Sequence, residues 1–226
     1  MKKIAILTSM TSLQESICKY VYDGSMRGML SGDWHDCQVQ VFLIKEAGKV
    51  NLTLAVDKVI SSYKPDAIIG AGTAKSLTHG LLPGNIIVGS HFRYFDVCLG
   101  NDFGRYPNEP PFYFSDDMIV SKMIDAGLCV RQGLVVSGDS IIDDRVSAKK
   151  ISNHFSKARA LDNESAVMAQ VCHASNIPFV SVRVIDDTPV MEEKAKMMYP
   201  QFRKAPSADA LADEIYKVLD KTIESL

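Results

Sequence analysis

Short apolar runs rich in β-branched residues alternate with amphipathic stretches along all 226 residues of this chain, and that alternation constrains the fold more than any single motif. The strand-like runs are 3–9 (KIAILTS), 38–47 (QVQVFLIKEA), 66–72 (DAIIGAG), 85–97 (NIIVGSHFRYFDV), 133–142 (GLVVSGDSII) and 178–186 (PFVSVRVID). Helical spacing fills the gaps. In 51–64, Leu52, Ala55, Val56, Val59 and Ile60 share one face behind Asn51, which can cap. Ser115 opens 115–127 with acids in the first turn, and Gly127 closes it. The stretch 163–176 reads as a buried helix stopped by Asn176 and Pro178, and 207–226 opens on Ser207 as an amphipathic helix. Strands alternating with helices predict an α/β fold, a three-layer sandwich around a central mixed, largely parallel β-sheet. The length predicts a single domain over 1–226, with no repeat, low-complexity tract or linker to divide it.

Composition narrows the class of partner. The chain is 46% apolar and 23% charged, with mean hydropathy +0.02, as expected of a globular protein with a well-filled core. A formal charge of −2 with no basic stripe gives no reason to expect nucleic acid. The first apolar run is about five residues, shorter than the ~7 of a leader's apolar region. It reads as a first strand, and no window approaches the ~18 apolar residues of a membrane span. Five cysteines, an odd number without CxxC spacing, predict reduced thiols and a cytoplasmic protein. The five histidines are scattered, so neither a metal nor a cofactor is expected, and His173 reads as a core histidine.

In sheets of this kind ligands bind at the carboxyl ends of strands, which ranks 70–76, 137–140 and 186–189 first. In 70–76 (GAGTAKS), backbone N–H groups and the Thr73 hydroxyl can hold a polar ligand, or the glycines can make a tight turn. The pattern fits neither a Walker loop nor a dinucleotide fingerprint. Ser137 and Asp139 stand at the next strand end, where Asp139 serves a ligand or caps a following helix or turn. Acids recur in 160–173 (ALDNESAVMAQVCH) and 178–189 (PFVSVRVIDDTP). Asp162 and Glu164, two apart at a helix start, project in different directions, and one can complement the helix dipole. Strand alternation places Arg183, Ile185 and Asp187 on one face and Asp186 on the other. Asp187 then pairs with Arg183, caps a loop, or acts as a proton donor beside a hydroxyl-binding Glu164, a combination suited to glycosidic cleavage. The irregular stretch 98–114 is rich in Gly, Pro and aromatics and is expected to form part of a pocket or a dimer contact.

These stretches together resemble the nucleoside phosphorylase/nucleosidase superfamily, most closely the 5′-methylthioadenosine/S-adenosylhomocysteine nucleosidases. The matching runs are 47–51 (AGKVN), 64–74 (KPDAIIGAGTA), 83–88 (PGNIIV), 93–97 (RYFDV), 134–142 (LVVSGDSII) and 161–187, the last being the most specific. The resemblance implies a homodimer that cleaves the N-glycosidic bond of a purine nucleoside. It implies Asp187 as the acid that protonates the leaving base and Glu164 as the clamp on the ribose hydroxyls. Substrate-binding positions carried over are Thr73, Ala74, Lys75, Ser137, Asp139, Ile141, Asp162, Asn163 and Asp186.

The departures are as informative. Where those nucleosidases keep a water-activating glutamate, this chain has Leu13, and loss of a general base costs about 10²–10⁴ in rate. Glu15 and Glu46 are the remaining carboxylates considered for that task. Lys75 replaces a small glycine, Asn163 a methionine, Ile141 an aromatic and Asp186 a serine. Lys75, Asn163 and Arg105 point to a nucleotide or a 5′-modified, anionic nucleoside. Two alternatives stand beside hydrolysis: a nucleoside-binding protein with weakened chemistry, and a phosphorylase using Lys75.

Overall fold

A computed structural model describes residues 1–21, 31–45, 48–99, 102–126, 130–198 and 206–226. In chain order the elements are β1 (Lys2–Thr8), α1 (Thr11–Val21), β2 (Ser31–Trp34), β3 (Cys37–Leu43), α2 (Lys49–Tyr63), β4 (Ala67–Ser76), β5 (Ile86–Tyr94), β6 (Cys98–Leu99) and β7 (Asp102–Phe103). There follow β8 (Tyr113–Phe114), α3 (Asp117–Asp125), β9 (Arg131–Ser137), α4 (Arg145–His154), β10 (Ala158–Asp162), α5 (Ser165–Ala174), β11 (Phe179–Asp187), α6 (Glu193–Met198) and α7 (Ala208–Glu224).

The main sheet has the order β10-β9-β5-β11-β4-β1-β3-β2, with β8 added to β5. Pairing is parallel for β3-β1-β4-β11, β5-β9 and β9-β10, and antiparallel for β11-β5 and β2-β3. β10 also pairs antiparallel with β4 through Ala160–Ser76 and Leu161–Lys75, closing β10, β9, β5, β11 and β4 into a small barrel from which β1, β3 and β2 extend. Alternation sorts the side chains. Ile4, Ile6, Ile69 and Val182 face α1, α3 and α7 through Leu13, Met123, Ile215 and Leu219. Ala5, Leu7, Ile68 and Ile87 face α2 and α5 through Leu52, Val56, Met168 and Cys172. The result is the α/β arrangement of helices on both sides of a mixed sheet.

The helix ends follow from their sequences. Ser207 accepts a hydrogen bond from Ala210 N (3.2 Å) and opens α7 as expected. Asp116 rather than Ser115 caps α3, accepting from Ile119 N at 3.0 Å, and Gly127 lies outside the described residues. Helix α2 starts at Lys49, ahead of Asn51. The tight turn, one of the two readings open for 70–76, is not formed, because β4 runs unbroken through Ser76 between three sheet partners. Its glycines answer to packing instead. A Cβ on Gly72 would meet Arg183 Nη1 at 2.2 Å, and one on Gly70 would meet Met168 Sδ at 2.8 Å. His173 is exposed on α5 and touches the Tyr113 ring, so it is no core histidine. Among the described residues Cys18, Cys37, Cys98 and Cys172 are unpaired, and burial pushes the Cys172 thiol up to about 12. No helix among the described residues is long and apolar enough to cross a membrane.

Candidate active site at the carboxyl ends of the strands

The site is organised by one buried cation. Arg183 lies on β11 and is 0% exposed. An unpaired buried guanidinium would be prohibitively costly, so the surrounding sequence supplies acids and hydroxyls. Its Nη1 donates to Glu164 Oε2 at 2.6 Å, and its Nε lies 2.9 Å from Asp162 Oδ2. Nε also donates to Ser165 Oγ (3.0 Å) and Ser181 Oγ (2.9 Å). Burial pulls the guanidinium pKa down, but Asp162 and Glu164 outweigh it and hold it above its ordinary value.

Asp162 carries a second load. Its Oδ1 accepts from the backbone N of Glu164 (3.2 Å) and Ser165 (3.1 Å), capping α5 where the helix dipole favours an anion. Ser137 Oγ donates to Asp162 Oδ1 at 2.5 Å and accepts from Ala166 N at 2.9 Å. Ser137 is therefore a buried strut behind the helix start. Asp139 is likewise outside the cavity. Its Oδ1 accepts from Lys49 N (2.9 Å), tying down the start of α2, while Lys49 Nζ bridges Asp96 (2.6 Å) and Asp139 (3.4 Å). The following helix α4 is capped by Asp144, so Asp139 is not its cap; its contact instead holds the start of α2, ninety residues away in sequence.

In front of this network lies a cavity of ≈ 200 Å³ lined by Ser9, Thr73, Ala74, Lys75, Ile141, Ile142, Leu161, Asp162, Asn163, Glu164 and Asp186. It gathers eight of the eleven expected site residues and leaves out Ser137, Asp139 and Asp187. Asn163 Nδ2 donates to Gly138 O at 2.5 Å, holding the 138–140 segment against the cavity. Ser9 and Leu161 were not anticipated. The rule that ligands sit at strand carboxyl ends could have found Ser9, which directly follows β1.

The end of β11 departs from simple alternation. Ile185 pairs with Ala74 and Asp187 with Lys75, so Asp186 is an extra residue in a β-bulge. The bulge puts Asp186, not Asp187, on the cavity wall. Burial pushes the Asp186 carboxyl up, opposed by a Thr73 hydrogen bond and by Lys75 and reinforced by Asp187. In this network, Asp186 Oδ1 and Arg183 Nη2 are buried without a hydrogen-bond partner among the described residues. Asp187 Oδ1 accepts from Thr188 N at 2.7 Å. Leu13 is wholly buried on the core face of α1, and Glu15 is exposed on the same helix, away from the cavity. Glu46 lies outside the described residues. Among the described residues no group of three His, Cys, Asp or Glu is placed to hold a metal.

This fold and this site define a class: the chain belongs to the phosphorylase superfamily, whose family model matches residues 24–222. Within it, the chain has relatives among the nucleosidases. A 5′-methylthioadenosine/S-adenosylhomocysteine nucleosidase from an Exiguobacterium species is 33% identical over 181 residues, covering 76% of this chain and 77% of the relative. One from Halalkalibacterium halodurans is 29% identical over 221 residues, covering 93% and 95%. The crystal structure of the Neisseria meningitidis 5′-methylthioadenosine/S-adenosylhomocysteine nucleosidase, in complex with methylthio-immucillin-A, matches with a TM-score of 0.82 at 25% identity over 100% of both chains.

Proposed function

We propose that this protein is a hydrolase that cleaves the N-glycosidic bond of a purine nucleoside, or of a 5′-modified or anionic nucleoside, in the ≈ 200 Å³ cavity. The observation that carries the reading is the convergence there of Glu164, pinned by Arg183, with Thr73, Lys75 and Asp186. Glu164 is the clamp on the ribose hydroxyls. Its second oxygen remains for substrate while Arg183 fixes the first. As the bond to C1′ stretches, positive charge grows on the sugar, and a fixed carboxylate stabilises that charge more than it stabilises the ground state. The leaving base takes a proton, and Asp187, just outside the cavity lining, is assigned as its source; Asp186, its neighbour on the wall, is assigned as a substrate-binding group. The two unpartnered atoms, Arg183 Nη2 as donor and Asp186 Oδ1, suit polar atoms of a bound substrate.

Water activation is assigned to no residue of α1, since Leu13 is in the core and Glu15 is exposed. Lys75 on the wall favours a substrate with an anionic group and supports the second reading, phosphorolysis. We further assign the protein to the cytoplasm as a homodimer, with no nucleic-acid or membrane partner. The test is incubation with a panel of nucleosides and nucleotides, with and without phosphate, following free base. Base release without phosphate supports hydrolysis, and phosphate-dependent release with sugar 1-phosphate identifies a phosphorylase. Tight binding by calorimetry with no release from any member, at high enzyme concentration, identifies a binding protein and overturns the enzymatic reading.

A further inference from the structure

At the other end of β9 and β10, away from the nucleoside cavity, two adjoining cavities of ≈ 580 and ≈ 470 Å³ share Gln132 and Arg159. Lys157 and Arg159 line the larger with the hydroxyls of Thr78, Ser90 and Ser156, and Arg131 joins Arg159 in the smaller. No carboxylate lines either one. Among the described residues none of these three cations has an ion-pair partner. In a chain whose formal charge is −2, this local excess of positive charge has no counterpart beside it.

The strands are deformed around this spot. On β5 the register with β9 shifts between Gly89 and His91, making Ser90 the extra residue. On β10 it shifts between Ala158 and Ala160, making Arg159 the extra residue. The two bulges meet at Leu134 from either side of β9, and bulges of this kind re-aim side chains. Gly133 completes the arrangement. A Cβ there would come within 2.5 Å of Arg159 Cδ, so the glycine lets the arginine stem lie across the strand. Ser90 Oγ is 2.9 Å from His91 Nδ1, and the His91 ring packs against Phe112 and Phe114. Burial, and then the Lys157 charge, lower the His91 pKa, so the positive field is felt inside the cleft.

We propose that this cleft is a second ligand site, one that takes a small molecule carrying a phosphate or diphosphate group. Arginine forks and hydroxyls without a competing carboxylate match the acceptor-only oxygens of such a group, and about 300–1,000 Å³ is the size of a small-molecule pocket. β10 carries Arg159 near one end and Asp162 at the other, three residues or about 10 Å apart, so the two sites are separate.

Calorimetry on the full chain tests this with inorganic phosphate, inorganic pyrophosphate and ribose 5-phosphate. Binding of at least one is expected, with a chemical-shift change at the His91 ring. Pyrophosphate as the tightest ligand identifies a diphosphate site, whereas ribose 5-phosphate binding more tightly than phosphate shows that the cleft also holds an organic portion. Combined Lys157→Gln and Arg159→Gln should weaken binding tenfold or more, while Lys75→Gln in the nucleoside cavity should not. Gly133→Ala keeps every charge but displaces Arg159, and it should also weaken binding. Absence of binding by all three probes would overturn the proposal. So would affinity lost in Lys75→Gln instead, or affinity kept in Gly133→Ala, which would mean diffuse attraction. Tenfold tighter binding of a single-stranded oligonucleotide through the same residues would overturn it in favour of a nucleic-acid surface.

Discussion

Arg183 shows how much one side chain decides. It holds Glu164 in the cavity wall and neutralises Asp162, which in turn caps α5. Arg183→Met would leave two carboxylates without their counter-charge, and removing one partner of a buried pair costs about 3–5 kcal/mol. Urea unfolding should register that loss, and base release should fall with it because Glu164 loses its anchor. Asp187→Asn probes chemistry alone. It should lower kcat by about 10²–10⁴ while leaving binding of free purine base nearly intact, and an unchanged kcat would remove Asp187 from the mechanism. Asp186 makes a prediction about pH. Its folded pKa is raised, so the native state holds more protons than the unfolded chain between the ordinary carboxylate value and the folded one. Stability attributable to this group therefore falls as pH rises through that window. Asp186→Asn removes the penalty. Its Tm should exceed that of the wild type at neutral pH, and the advantage should vanish below the ordinary pKa of about 3.9.

At the scale of elements, the tight packing of β4 against β11 explains a glycine that sequence alone could not place. A methyl group on Gly72 strikes the Arg183 guanidinium, so Gly72→Ala should destabilise the fold by about 1–3 kcal/mol, measurable by denaturant unfolding. Asp139→Ala should cost about 1 kcal/mol through the lost contact at the start of α2 and leave kcat unchanged, the opposite of what a substrate-binding role demands. β1 and β11 were legible as unbroken β-branched apolar runs buried on both faces, and α2 and α7 because one buried face repeats along each. Others were hidden for physical reasons. In α4 Ala148 is the one fully buried side chain, and β10 is five residues long with a bulged arginine inside it. In α1, Leu13 and Ile17 are buried four apart amid polar neighbours. The cavity residues were legible as types at strand ends. What alternation could not supply was the bulge that exchanges the places of Asp186 and Asp187, nor the remote partner that gives Asp139 its task.

Among the described residues, the surface around α2 is at odds with its chemistry as a single chain leaves it. On α2, Val50 is 74% and Leu54 64% exposed, although each lies on a well-formed helix able to turn apolar residues inward. Both border a groove of ≈ 630 Å³ whose walls also include Tyr94 and Tyr106, the latter from the irregular 98–114 stretch, and Val171 of α5. Aromatic and aliphatic side chains gathered beside a groove are the makings of an interface core rather than scattered surface residues. A second copy of the chain is the occupant we assign, in keeping with the expected homodimer. The cavity at the strand ends, at ≈ 200 Å³, is also smaller than the about 300–1,000 Å³ typical of small-molecule pockets, as a site shared with a neighbouring subunit would be. Leu54→Glu places a charge in that interface, where desolvating it without a partner is costly. Sedimentation velocity should show a dimer for the wild type and a monomer for the variant, with an unchanged far-ultraviolet circular dichroism spectrum. If the subunits complete the cavity, KM for the cleaved nucleoside should rise in the monomer. A wild type that sediments as a monomer while fully active would show that one chain contains the whole site.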